Sequence, residues 1–136
     1  MKNAYNKYKT TSIQSAGRER LLLMMYEGAI KFVKKAKIAC EKDDIAERGY
    51  NIGRAYDVIL ELTNTLDHDV GGDISKNLEQ LYMFMTDKLT EANVKGDPQC
   101  LDEVLGLLTT LHEGWVQAIK KLKEDANGNR TVTQKA

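Results

Sequence analysis

Two histidines, His68 and His112, and two cysteines, Cys40 and Cys100, are the side chains of this chain best suited to metal or nucleophilic chemistry. A di-iron bundle needs Glu-x-x-His pairs on facing helices, and neither histidine has a Glu three residues before it. A zinc site would need ligands clustered in pairs a few residues apart, whereas these four are scattered singly. No Cys-x-x-Cys-His marks a haem attachment. Phosphoryl relay through an exposed histidine on a helical bundle needs a cation beside the ring to meet the phosphoryl oxygens. Here the segment reads His112-Glu113-Gly114-Trp115, which puts a carboxylate there instead, so a histidine phosphotransfer domain is a poor fit. The glycine pair Gly71-Gly72 lacks the Lys-Ser/Thr that follows a phosphate-binding loop, and no strand precedes it. These residues therefore predict no catalytic group, no metal and no cofactor. The cysteines read as reduced, small apolar groups, and the histidines as surface or partly buried polar ones.

The elements that must position any site are legible in the apolar spacing. Leu21, Met25, Ala29, Phe32, Ala36 and Cys40 recur at helical steps of three and four, with Lys31, Lys34, Lys35 and Lys37 on the wet side. Ile45, Ile52, Ile59 and Leu66 repeat every seven residues. Ile74, Leu78, Leu81, Met85, Leu89 and Ala92 make a third stripe; Leu101, Val104, Leu108, Leu111, Trp115, Ala118 and Leu122 make a fourth. The breaks between them are short. Asp44 with Glu47 has the form of a capping box, Gly71-Gly72 permits a tight reversal with Asp73 as the next cap, and Gly96-Asp97-Pro98 reads as helix stop, cap and first helical position. Short connections make neighbouring helices antiparallel. The expected fold is all-α: an antiparallel four-helix bundle over 15–124 (about 15–40, 44–67, 73–94 and 98–124), with a flexible N-terminal arm over 1–14 and a disordered polar tail over 125–136.

At 136 residues the chain is one domain, long enough to bury about two thirds of the surface its unfolded form exposes. Lys plus Arg and Asp plus Glu balance at 20 each, so no global field points to nucleic acid. No apolar run reaches a membrane span, and Met1-Lys2-Asn3-Ala4-Tyr5 lacks the apolar core of a signal peptide, so a cytoplasmic protein is expected. The apolar surplus beside the stripes, including Val58, Leu62, Phe84, Leu105, Leu107, Val116 and Ile119, is wider than a strict seam. It predicts a broad core foremost, or else an outer groove for another helix; Met24, Met25, Met83 and Met85 would suit the groove.

Several words of the sequence, in order, resemble the flagellar secretion chaperone FliS family. They are Leu22-Leu23-Met24-Met25-Tyr26-Glu27-Gly28-Ala29-Ile30, Leu66-Asp67 with Gly71-Gly72-Asp73-Ile74, Asn77-Leu78 with Leu81-Tyr82, and Ala92-Asn93 to Asp97 ahead of the helix with Trp115. The similarity spans almost the whole chain. Met25 where Leu is usual, Glu27 where Asp is common and Met83-Phe84 where Tyr is frequent are mild departures. The resemblance implies a non-enzymatic cytoplasmic export chaperone. Its expected client is the C-terminal segment of flagellin, held against premature polymerisation and delivered to the flagellar type III export apparatus. A flagellar regulator competing for the same surface is a further expected partner, and no nucleic acid or membrane insertion is expected. Tyr5 and Tyr8 resemble the N-terminal tyrosines of the family. With Tyr26, Tyr56, Leu78 and Tyr82 they are the expected partner-binding residues, tyrosine combining contact area with a polar tip. Trp115 reads as core. A generic helical adaptor or a homodimerising bundle is the alternative.

Overall fold

The four apolar stripes become four helices: α1 (Lys2–Glu41), α2 (Ile45–Asn64), α3 (His68–Lys95) and α4 (Pro98–Lys135). The structure is a computed structural model that describes the backbone of residues 2–135 and the side chains of 16–128. Tyr5, Tyr8 and the expected arm over 1–14 lie outside the described side chains, as does most of the expected tail. Each helix packs against its neighbours in a closed ring, α1 on α2 and α4, α3 on α2 and α4, so α1 and α3 face each other across a diagonal. This is the antiparallel bundle that short connections require.

Local chemistry fixes each turn. Asp44 accepts from the Glu47 N–H at 3.2 Å and caps α2. Gly96 ends α3 at φ 66°, a left-handed backbone that an L side chain resists, and its N–H bonds to the Ala92 carbonyl at 2.8 Å. Asp97 then accepts from the Gln99 N–H at 2.9 Å and Pro98 opens α4. The α2–α3 turn differs in detail from the expectation. Asp67, not Asp73, is the cap, accepting from the Asp69 and Val70 N–H groups. The chain makes one helical turn and then bends at Gly72 (φ 52°, ψ −122°) before the main run of α3. The buried Ser75 hydroxyl donates to the Asp67 carbonyl at 3.0 Å, tying the two sides of that bend together.

The core is built mostly from the expected stripes, with Ala29, Ala36, Ile52, Ile59, Leu89, Leu101, Val104 and Leu108 all buried. Much of the surplus joins it: Leu62 is fully buried, and Val58, Leu105 and Leu107 pack against its edge. The ends of the stripes do not. Leu21, Ile45, Ile74 and Leu122 are exposed, because a stripe is covered only where a partner helix runs beside it. No helix among the described residues is long and apolar enough to cross a membrane.

Candidate functional site

α2 spans 20 residues and stops at Asn64, while α1 and α4 span 40 and 38. The long helices therefore run past the α2–α3 turn, where α2 no longer flanks them. The result is a groove of about 650 Å³, open to solvent, between the Arg18–Met25 stretch of α1, the Thr65–Gly71 turn and the start of α3. Leu22, Met25, Leu66 and Leu78 form its floor, and Trp115 of α4 contributes from the side. Leu21 (57% exposed), Ile74 (68%) and Val70 (86%) stand on its walls. Arg18 and Asp67 give it a charged rim. Apolar walls beneath a polar rim are what a partner-binding groove requires.

A buried polar triad lies beneath it. Tyr26 of α1 and Tyr82 of α3 are both fully buried and hydrogen-bond to each other through their hydroxyls. Their rings meet at 6.5 Å with a 52° tilt. Trp115 Nε1–H donates to the Tyr26 hydroxyl at 3.2 Å. Burial raises the pKa of both tyrosines. At Tyr26 the bonds from Tyr82 and Trp115 partly oppose that shift, and at Tyr82 the bond to Tyr26 adds to it. Three donors share two acceptor oxygens, so one hydroxyl proton has no acceptor within the triad.

Of the residues singled out from sequence, the structure brings Leu78 and Tyr82 into the groove with Tyr26 directly behind them. Tyr56 is partly buried against the core and does not line the groove. Trp115, expected in the core, is only partly buried: its indole N–H is bonded inward and its ring borders the groove. The groove residues Val70 and Ile74 carried a signal in the sequence. They flank the Gly71-Gly72 break, where apolar residues are least needed for packing.

The histidines and cysteines lie apart from the groove. His68 Nε2 sits 2.8 Å from Glu79 Oε2. His112 Nε2 is buried 3.3 Å from Glu27 Oε1, outside hydrogen-bonding geometry. Burial is the largest influence on both thiols and holds Cys40 and Cys100 above their ordinary pKa, in the unreactive protonated form. Among the described residues no three His, Cys, Asp or Glu side chains converge as metal ligands.

Comparison with known proteins places this geometry. A family sequence model described as "Flagellar protein FliS" matches residues 1–122. The chain belongs to the FliS family. It is 36% identical to the flagellar secretion chaperone FliS of Vibrio cholerae over 121 residues, covering 86% of this chain and 89% of that one. It is 33% identical to the flagellar secretion chaperone FliS of Bacillus subtilis over 129 residues, covering 95% and 96%. A solved structure described as a flagellar chaperone from bacteria superposes with a TM-score of 0.77 at 18% identity, covering 88% of this chain and 97% of that one, which is a likeness of fold. FliS is a chaperone family and not a family of enzymes.

Proposed function

We propose that the chain is a cytoplasmic flagellar export chaperone that holds the C-terminal segment of flagellin as an amphipathic helix in the groove between α1 and α3. The observation that carries this reading is the exposure of Leu21, Val70 and Ile74 around a floor of partly buried and buried apolar side chains. A disordered apolar segment entering such a groove buries its own hydrophobic face and cannot at the same time pack into a filament. The cost of ordering it keeps the complex releasable, as delivery to the type III export apparatus demands. The curated relatives carry the name secretion chaperone, which supports the same role. Within this reading, residues 15–124 form the working bundle and 125–136 a tail. Tyr5 and Tyr8, in the arm over 1–14, add aromatic contacts to the client. A flagellar regulator would compete for the same walls.

Isothermal titration with the C-terminal segment of the organism's own flagellin, beside an N-terminal segment of equal length, tests it. Saturable binding of the C-terminal segment alone, one chain to one chaperone with a negative heat-capacity change, is expected. Binding of neither segment, together with a concentration-dependent dimer in sedimentation, would shift the assignment to a homodimerising bundle.

A further inference from the structure

The second half of α1 has an outer face that the groove does not use. Lys31, Lys35, Ile38 and Lys42 follow one another at steps of four, three and four, a single stripe about 16 Å long, with Lys34 beside it. All five are exposed, Ile38 at 50%. Lys37 pairs with Asp102 at 2.9 Å, Lys88 with Glu103 at 3.3 Å and Lys95 with Glu91 at 3.0 Å, whereas Lys76, Lys120, Lys121 and Lys123 stand unpaired among the described residues at scattered places. Lys31, Lys34, Lys35 and Lys42 have no ion-pair partner among the described residues. Like charges at helical spacings of three and four repel, so this stripe costs the isolated chain stability. Beside it, a cleft of about 290 Å³ runs between Ile38 and Ala39 of α1 and Asp44, Glu47 and Asn51 at the α2 start, with Lys35 of α1 and Lys42 of the turn after it on one wall.

We propose that this face docks a second protein partner through an acidic amphipathic helix, whose carboxylates meet Lys31, Lys35 and Lys42 while one apolar side chain seats against Ile38 at the cleft. Charge complementarity selects the occupant. A nucleic acid presents phosphates along its whole length, and those falling beside Asp44 and Glu47 would be repelled. A helix can confine its carboxylates to the edge that meets α1 and offer a neutral edge to α2. An exposed isoleucine between lysines also rewards an apolar contact that phosphate cannot make. The centre of the stripe lies about 20 Å along α1 from Leu22 in the groove, so both surfaces can be filled together.

The test uses the full chain and a synthetic, side-chain-stapled helix of about 16 residues with Glu at the three positions that match the lysines and Leu at the one that matches Ile38. Its Glu→Gln counterpart, phosphatidylglycerol vesicles and a polyuridine RNA run in parallel by fluorescence anisotropy. The Glu peptide should bind saturably and weaken several-fold between low salt and about 0.3 M salt. The triple variant Lys31→Glu/Lys35→Glu/Lys42→Glu should lose about tenfold or more in affinity, the milder Lys→Gln triple less, and Ile38→Ser several-fold. Each variant should keep its helical circular dichroism and its titration with the flagellin C-terminal segment. Equal binding of the Glu and Gln peptides, or wild-type affinity in both triple variants, overturns the proposal. Tighter lysine-dependent binding of the vesicles or the RNA than of the peptide overturns it in favour of a lipid or nucleic-acid surface.

Discussion

The hydroxyls of Tyr26 and Tyr82 hydrogen-bond across the diagonal of the bundle, joining α1 and α3, two helices that share no close backbone approach among the described residues. Tyr26 is the centre of this link because it also accepts from Trp115. Tyr26→Phe strands both the indole N–H and the Tyr82 hydroxyl in a buried place and should cost about 1–3 kcal/mol. Tyr82→Phe breaks one bond and leaves the Trp115 bond in place, so it should cost about 0.5–1.5 kcal/mol. Urea midpoints of the two variants check the order; a costlier Tyr82→Phe would mean that the triad is organised around the other ring.

The same pair predicts alkaline sensitivity. Burial raises both phenol pKa values above the ordinary value near 10. Below about pH 10 folded and unfolded chains alike hold both protons, so the full stability is present. Above it the unfolded chain releases them and the folded chain does not, and stability falls as pH rises. Lys37, Lys88 and Lys95, raised first by hydrogen bonds to their carboxylate partners, fall away in the same direction. Denaturation of the wild type and of Tyr26→Phe/Tyr82→Phe between about pH 8 and 11 separates the contributions, since the double variant keeps the lysines and should show the shallower decline.

The bundle was legible because periodicity, caps and breakers pointed to one answer. Asp44, Gly96, Asp97 and Pro98 each do in the structure what their chemistry suggests in the sequence. The groove was less legible, because a stripe records which side of a helix is apolar and not where its neighbour ends. Ile74 and Leu78 share a stripe four residues apart, yet Leu78 is buried and Ile74 mostly exposed, since only Leu78 lies deep enough to be covered. The tyrosines illustrate the converse. Their polar tips suggested an interface, but Tyr26 and Tyr82 satisfy each other inside the protein, a pairing between positions 56 residues apart that no local pattern encodes. The cap at Asp67 in place of Asp73 was hidden for a simpler reason, since two aspartates flank the glycine pair and either can accept.

Gly96 gives a local prediction. Its left-handed φ of 66° makes any Cβ unfavourable, and the added methyl would also approach Arg48 Nη1 at 2.8 Å. Arg48 holds the end of α3 through its Nη2–H bond to the Asn93 carbonyl at 3.0 Å. The arginine end is flexible and can yield, so the backbone term dominates. Gly96→Ala should cost about 1–2 kcal/mol, and Gly96→Asn less, because Asn tolerates this conformation. Thermal melts of the two variants measure the difference; equal melting temperatures to wild type would mean that the turn relaxes to another geometry.

Separating stability from binding requires a groove residue that the fold does not need, and Ile74 is that residue: it borders the groove yet is 68% exposed. Ile74→Ser removes a contact offered to the proposed client helix. It should leave the melting temperature within the small range typical of surface substitutions, about 0.5 kcal/mol, while weakening binding of the flagellin C-terminal segment by about 1–2 kcal/mol. Leu78, four residues on in α3 and buried beneath the same groove, should behave differently. Leu78→Ala opens the core and should cost about 2–5 kcal/mol in stability, with binding lost alongside. Calorimetric titration and denaturation of both variants test the distinction. Unchanged flagellin affinity in Ile74→Ser would move the client off this wall, whereas a lowered melting temperature in that variant would show that Ile74 is covered by the chain itself before any client arrives.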